Sequence, residues 1–219
     1  MKREIRLTAD GSPTLYVPEL DETYHSRHGS VQEALHVFIA SGLKPLAIKN
    51  KSIQILEVGF GTGLNAFLSA QFAHEHQSSV QYTGIEAFPV EEAIWRQLSY
   101  FQKPEEKAIY YELMAASWEE PLALNSNFTL TKVKNSIQDW QPKALFDLIY
   151  FDAFGPRAQA EMWNKAIFEK LFTALNKGGV LVTYCAQGQF RRDLKAIGFE
   201  VLSLPGPPGK REMTRAYKI

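Results

Sequence analysis

The stretch that most constrains this chain is Ile53–Leu68, IQILEVGFGTGLNAFL. An apolar run ends in an acid, a Gly-x-Gly-x-Gly follows, and an amphipathic segment comes next. The order predicts a buried strand, a tight glycine turn and a helix opened by that turn. Glycines so closely spaced let a ligand approach bare backbone at a helix N-terminus. Gly59, Gly61 and Gly63 are spaced G-x-G-x-G. The dinucleotide fingerprint is instead G-x-G-x-x-G, with its third glycine packing the helix beside a pyrophosphate. Glu57 stands just before the turn, where a carboxylate repels a phosphate but suits a cation or an ammonium group.

Size and charge narrow the field. The chain has 219 residues, the size of one α/β domain with small additions and enough for a substantial core. Lys and Arg number 24, as do Asp and Glu, so contact with nucleic acid must come from a local basic patch rather than a bulk field. Cys185 is the one cysteine, which excludes an internal disulfide and a cysteine-based zinc site and points to a reducing compartment. Met1–Val17 lacks the apolar centre of a signal peptide, and no run approaches the roughly 20 apolar residues of a membrane span. The expectation is a soluble, cytoplasmic protein with no membrane contact.

The N-terminal part, residues 1–50, reads as an extension. Met1–Val17 alternates apolar and polar residues around Asp10-Gly11, a good type I′ hairpin turn. Val31–Ala40 carries a helical stripe, with Ser30 and Glu33 as a capping box and an end near Gly42 and Pro45. From residue 51 to 219 strands alternate with helices. Strands are expected at Ile53–Val58, Gln81–Glu86, Phe128–Val133, Phe146–Phe151, Gly179–Cys185 and Glu200–Leu204. Helices are expected at Leu64–His76, Val90–Gln102, Glu105–Met114, Ala160–Leu175 and Gln189–Ile197. This rhythm implies a mostly parallel, doubly wound sheet with helices on both faces. A last strand, Met213–Ile219, returns by a hairpin through Pro205–Gly209 and is therefore antiparallel.

Ligands of such sheets bind beyond the carboxyl ends of the strands. The second strand ends at Glu86, 23 residues after Gly63, about the separation of the ribose-binding acid in nucleotide-binding βαβ units. The strand-Glu-x-Gly-x-Gly-x-Gly arrangement resembles motif I of the S-adenosylmethionine-dependent methyltransferases. That resemblance implies a Rossmann-like class I fold and S-adenosyl-L-methionine as cofactor, leaving as S-adenosyl-L-homocysteine. It assigns to the cofactor Glu57, Gly59, Phe60, Gly61, Gly63, Leu64 and Asn65, then Glu86 with Ala87. In such enzymes an acid after the third strand bonds the adenine amino group. Here Ser136 holds the matching place, with Ile137 beside it to pack on the ring; Asp139, which also fits a turn cap, is the alternative. At the fourth strand end Asp152 faces the transferable methyl group in enzymes of this architecture; it is the expected catalytic residue and also touches the cofactor.

The later motifs are more specific. Asp152–Pro156 (DAFGP), Glu161–Trp163 (EMW), Thr183–Gly188 (TYCAQG) with the following FRR and GF, and Gly209–Met213 (GKREM) occur in one order. Together they resemble the methyltransferase domain of the bacterial tRNA 5-methylaminomethyl-2-thiouridine biosynthesis proteins, from about Tyr24 to Met213. The fused form of that family carries a flavin-dependent oxidase domain; the resemblance here is to the stand-alone methyltransferase, so no oxidase activity and no FAD are expected. The implied reaction methylates the primary amine of 5-aminomethyl-(2-thio)uridine at the tRNA wobble position. A carboxylate such as Asp152 orients the neutral amine and holds the charge that forms on it.

Tyr24-His25-Ser26-x-x-Gly29, with Glu33 after it, matches the family's N-terminal segment. Tyr24 covers the methionine end of the cofactor or packs in the core. Ser26 and Glu33 belong to the amine pocket, or Glu33 completes the capping box. His25 and His28 have no further ligand set, and methyl transfer needs no metal. Arg157, Arg191, Arg192, Lys210, Arg211 and Arg215 lie in late loops or helix starts, where Arg191, Lys210 and Arg211 are the expected tRNA contacts. Phe154 and Trp163 offer faces for base stacking, although Trp163 suits a core position equally. Two other readings stand: a small-molecule amine methyltransferase of the same fold, and a non-catalytic module that binds cofactor and RNA. No obligate protein partner is evident.

Overall fold

The computed structural model describes residues 1–50 and 52–219; the boundary placed at residue 51 falls on Lys51, outside the described residues. Strand β1 (Glu4–Leu7), β2 (Pro13–Val17) and the short β3 (Glu22–Thr23) form a small antiparallel sheet. The β1–β2 connection is a five-residue loop, Thr8–Ser12, and not a two-residue type I′ turn. Gly11 has positive φ but Asp10 does not. The Asp10 carboxylate is used elsewhere: it accepts from the Thr8 hydroxyl at 2.7 Å and from the Gln32 backbone N–H at 3.2 Å.

That last bond falls at the start of the next helix. α1 (Ser30–Ala34) begins at Gly29 with no capping box. Ser30 donates to the Pro13 carbonyl at 2.9 Å, and Glu33 accepts from the Ser26 N–H at 2.7 Å. The helix then widens into a π-helical stretch, Leu35–Leu43, and closes with α2 (Lys44–Ala47). It runs through Gly42 and Pro45 rather than ending there. Pro45 sits just after the junction of the π-helical stretch with α2. Gly42 serves close packing, since a Cβ there would meet Val182 at 3.1 Å and Tyr150 at 3.3 Å.

The remaining elements are β4 (Ser52–Val58), α3 (Leu64–His76), β5 (Ser79–Ile85), α4 (Glu92–Trp95), α5 (Pro104–Ala115), β6 (Pro121–Asn125), β7 (Phe128–Val133), β8 (Phe146–Phe151), a 3-10 turn (Ala160–Trp163), α6 (Lys165–Ala174), β9 (Leu175–Thr183), α7 (Gly188–Ile197), β10 (Phe199–Pro205) and β11 (Glu212–Lys218). Among the described residues the main sheet has eight strands, in the order β10-β11-β9-β8-β4-β5-β7-β6. β9, β8, β4, β5 and β7 are parallel, while β6, β10 and β11 pair antiparallel. The doubly wound sheet with an antiparallel last strand is therefore as expected; edge strand β6 has no counterpart in the sequence reading.

Two expected helices are interrupted for visible reasons. Over Val90–Gln102 only Glu92–Trp95 is α-helical. The Gln97 side chain returns to the Ala93 carbonyl at 2.6 Å and the Tyr111 hydroxyl donates to the Arg96 carbonyl at 2.8 Å, satisfying groups a longer helix would have used. Within Ala160–Leu175, Asn164 accepts from the Ile167 N–H at 3.1 Å and so caps a new helix. β9 starts earlier than expected, at Leu175, with a register shift before Val180.

Apolar layers cover both sheet faces. On one, Phe38, Phe67 and Tyr110 of the N-terminal helix, α3 and α5 pack with Ile53, Tyr82 and Tyr150. On the other, Phe168, Leu171 and Leu194 of α6 and α7 pack with Leu56, Phe151 and Leu181. β4 lies between β8 and β5. The chain moves outward from β4 through β5 to β7, then crosses back to β8, which makes the tips of these strands the switch point where a ligand crevice opens.

Candidate active site

A cavity of about 430 Å³ opens at that place. Of the residues expected at the cofactor, all but Glu57 and Gly63 line it, and Phe154 lines it as well. The glycine turn forms its floor. Gly59 has φ 92°, and a Cβ there would stand 2.5 Å from the Asp152 carbonyl oxygen. The β4 and β8 tips can approach so closely because that position has no side chain. Gly61 has φ 52° and lies beneath the Tyr24 ring, which a Cβ would meet at 3.2 Å. Gly63 faces away from the cavity, where a Cβ would collide with Met114 of α5 at 2.5 Å. The third glycine therefore seats one helix against another.

Glu86 is held ready at the rim. Its carboxylate accepts from the Gly61 N–H at 2.9 Å and from the Phe88 N–H at 2.8 Å, one bond per oxygen. Each oxygen keeps a further acceptor position. At the third strand end Ser136 and Asp139 both line the cavity and bond each other: the Ser136 hydroxyl donates to Asp139 Oδ2 at 2.8 Å and accepts from the Asp139 N–H at 3.1 Å. The Ser136 proton is thus spent, and Asp139 is the freer acceptor of the two. Lys170 on α6 holds this turn from behind, donating to the carbonyls of Ile137, Gln138 and Trp140 at 2.7–2.8 Å.

The acids of β4 and β8 share one amide. Asn65 Nδ2 donates to Glu57 Oε1 and to Asp152 Oδ2, both at 2.8 Å. Glu57 is fully buried and its Oε2 has no partner; burial, with the Asp152 charge adding, pushes its carboxyl well above the usual range. Glu57 thus stands behind Asn65, one layer from the cavity. Burial also pushes Asp152 up to about 7, Glu33 adding to the rise, while the Asn65 bond and Lys210 oppose it. Asn65 Oδ1 is buried without a partner, so a residue that lines the cavity carries an unused acceptor.

The N-terminal segment closes the other side. Tyr24 packs edge-on against Phe154 with ring centroids 5.0 Å apart. His25, which also lines the cavity, lies between Thr14 at 3.2 Å and Thr62 of the glycine turn at 3.4 Å. Thr14 Oγ1 also accepts from the His25 backbone N–H at 3.1 Å, so one hydroxyl meets both the backbone and the ring of His25. Burial lowers His25 to about 4 and keeps this ring neutral. His25 thus lies with Tyr24 in the segment expected at the cofactor or amine pocket.

The expected substrate residues divide. Glu33 is buried and paired with Lys210, whose ammonium lies 3.8 Å above the Tyr184 ring. Lys210 and Arg211 line a shallow groove with Tyr184 and Gln187. Arg211 is almost fully solvent-exposed. Ser26 is bonded to Glu33 and sits outside the main cavity. Arg191 is tied into the sheet: it donates to Glu212 at 2.7 Å, to Thr214 and the Met213 carbonyl at 2.9 Å and to Ser203 at 3.1 Å. Its guanidinium fastens α7 to β10 and β11. Trp163 is buried against Phe151 and Phe190 and donates to the Phe154 carbonyl at 2.8 Å, so it anchors the backbone of the loop that carries Phe154.

Comparison with known proteins gives the family and the fold. The family described as S-adenosyl-L-methionine-dependent methyltransferase matches residues 100–219, more than half of the chain. The chain belongs to the S-adenosyl-L-methionine-dependent methyltransferases. It is 32% identical, over 96% of its length, to the tRNA 5-methylaminomethyl-2-thiouridine biosynthesis bifunctional protein MnmC of Cupriavidus metallidurans, of which it covers 33%. To the protein of the same name from Leptospira interrogans it is 31% identical over 94% of its length, covering 34%. The chain thus spans about a third of the length of these relatives. The crystal structure of MNMC2 from Aquifex aeolicus superposes with a TM-score of 0.84 at 25% identity, covering 99% of this chain and 70% of that one. A methyltransferase from Pyrococcus furiosus shares the fold at 18% identity and a TM-score of 0.52, over 92% of this chain and 90% of the other. This methyltransferase has, among its described residues, no helix long and apolar enough to cross a membrane.

Proposed function

We propose that this methyltransferase transfers a methyl group to the primary amine of 5-aminomethyl-(2-thio)uridine at the wobble position of tRNA, in the cytoplasm. The carrying observation is Asp152: a carboxyl at a sheet-end cavity, held by Asn65, with its acidity moved to about 7. The names of the relatives supply the substrate class.

The cavity fits S-adenosyl-L-methionine on its own chemistry. Glu86 offers two hydroxyl acceptors for the ribose. Asp139, oriented by Ser136, offers an acceptor for the adenine amino group, and Ile137 an apolar face. Asn65 borders the methionine end, with Glu57 fixing its amide from behind. Gly59 and Gly61 keep the floor bare, and Tyr24 covers it. When bound, this cofactor supplies a methyl carbon made electrophilic by its positive sulfur.

Asp152 acts on the acceptor. An ammonium has no lone pair, so the incoming amine must shed a proton before it can form a bond. An acid near 7 takes that proton at neutral pH, or takes the one released after the new N–C bond has formed. An ordinary aspartate near 3.9 would hold the amine as a stable ion pair and slow the reaction. Glu33, Lys210 and Tyr184 border this mouth, with Phe154 presenting a face for the uridine ring and Arg211 a contact for phosphate. The N-terminal extension thus supplies Tyr24 to the donor floor and Glu33 to the acceptor mouth.

Labelled S-adenosylmethionine offered with tRNA bearing the free 5-aminomethyl group should label the tRNA. Nucleoside mass spectrometry of tRNA from a deletion strain should show the unmethylated amine. Label passing to free polyamines but not to tRNA would replace this reading by a small-molecule amine methyltransferase. Cofactor and tRNA binding without transfer would make it a binding module.

A further inference from the structure

We infer that Arg3 is a positioning residue of the donor site: its guanidinium fastens the N-terminal hairpin across the cavity to the Glu86–Glu91 segment and so seats Tyr24 over the glycine turn. The inference rests on the reading that the methyl donor occupies this cavity.

Arg3 is a cation with only 2% of its side chain exposed. A charge withdrawn from water needs partners for its donors. Nε donates to the Tyr24 hydroxyl at 2.9 Å. Nη1 reaches Glu91 Oε2 at 2.8 Å and the Pro89 carbonyl at 3.4 Å, and Nη2 reaches the Phe88 carbonyl at 2.5 Å. One planar group therefore grips both walls of the cavity. On one side stands Tyr24, in contact distance of Gly61. On the other stands the segment whose Phe88 N–H holds Glu86.

Arg3 lies just ahead of β1, whose ladder with β2 holds the hairpin together but does not tie it to the main sheet. β1 turns an intermediate or exposed face to solvent along its whole length, with Ile5 39% and Leu7 76% exposed. Such a segment gains little from apolar burial and opens at low cost unless specific bonds close it. Met1, beyond Arg3, lines the cavity. Without the guanidinium, the hairpin end, Tyr24 and the Phe88 carbonyl lose their common partner, and the cover over the glycine turn loosens. Lysine is a poor replacement, since a point ammonium cannot reach a hydroxyl, a carboxylate and two carbonyls spread over a planar fork.

Calorimetry with S-adenosylhomocysteine, stopped-flow release of the same ligand and steady-state transfer kinetics test this on the full chain. Arg3→Ala should weaken binding by about tenfold, the scale of one lost charge-assisted bond, and speed release in proportion, with the kinetic loss falling on KM for the donor rather than on kcat. Arg3→Lys should recover little. Tyr24→Phe, which keeps the ring and removes one acceptor of Arg3, should show a smaller effect of the same kind and serves if Arg3→Ala does not fold. Glu86→Ala is the control on the donor's location. If Arg3→Ala and Tyr24→Phe bind within about twofold of wild type while Glu86→Ala loses affinity, the role of Arg3 is refuted and the cavity reading stands. If Glu86→Ala also binds normally, the donor lies elsewhere and the inference falls with its premise.

Discussion

The donor side of the cavity is built from backbone close in sequence, and the acceptor side from side chains brought together over long distances. On the donor side Gly59 and Gly61 remove side chains, and the Gly61 and Phe88 N–H groups orient Glu86. On the acceptor side Glu33 meets Lys210 across 177 positions. The first kind of wall tolerates few changes and is readable from a short motif. The second depends on charged and hydrogen-bonded pairs, so it responds to pH and to substitutions far from the reacting atoms.

Asp152, where the two walls meet, gives the largest expected effect. Asp152→Asn should lower the transfer rate by about 10²–10⁴-fold while donor affinity by calorimetry stays within a few-fold. It should also raise stability at pH 8. The folded chain holds the Asp152 proton more tightly than the unfolded chain does, with an acidity near 7 against the model value of 3.8. Its favourable contribution is therefore complete below the lower value and lost as pH rises through 7, by up to about 4 kcal/mol. Thermal melts of both proteins at pH 5 and pH 8 measure this. An equal melting temperature at pH 8 would mean that Asp152 is ionised at no cost.

The backbone wall should break most sharply at Gly59. Gly59→Ala combines positive φ with a Cβ 2.5 Å from the Asp152 carbonyl. It should cost about 2–4 kcal/mol in chemical denaturation and abolish donor binding. A variant of near wild-type stability that binds the donor would show that the β4 and β8 tips can separate freely.

Next in size is the acid limb set by His25. Its ring is neutral when folded, with an acidity near 4 against 6.5 in the free side chain. The unfolded chain takes up the proton first, so this contribution is present above 6.5 and is lost as pH falls to 4, by about 3 kcal/mol at most. Asp10, Glu33 and Lys210 are the charges that face it. The sign is opposite to that of Asp152, so in the wild type the two partly cancel between pH 4 and 7. Asp152→Asn should unmask the loss of stability below pH 6.5, and adding His25→Gln should remove it again. A flat pH–stability curve for Asp152→Asn alone would rule the His25 contribution out.

Glu33→Gln should have the smallest effect. It removes the ion pair with Lys210 and one of the charges that raise Asp152. The midpoint of the pH–rate profile should move to lower pH, and KM for tRNA should rise by roughly threefold to tenfold. A profile that does not move would separate Glu33 from the catalytic acid.

Some of this was legible from residues alone. β7, β8 and α3 occupy the expected spans, because an alternating or amphipathic run bounded by turn residues has one good way to bury its apolar side. The glycine turn, Glu86 and Asp152 were found because in a parallel sheet the strand ends face one crevice whatever covers it. The misreadings have a common origin. Pro45 and Gly42 signal a stop only while nothing packs on the helix; here Gly42 sits against Val182 and Tyr150. The helix expected to run through Asn164 is broken there because the Asn164 side chain takes the Ile167 N–H and starts a new helix. Arg191 looks like a phosphate contact until four groups of the neighbouring strands surround it.

The sequence by itself determined the sheet, its crevice and which polar residues stand at the strand ends, since periodicity and backbone freedom are properties of neighbouring residues. Only the tertiary structure decided which side chains are spent on one another and which remain free. Asn65 between two acids, His25 between two threonines and Arg3 across the cavity are long-range pairings, and burial sets both their protonation and their strength.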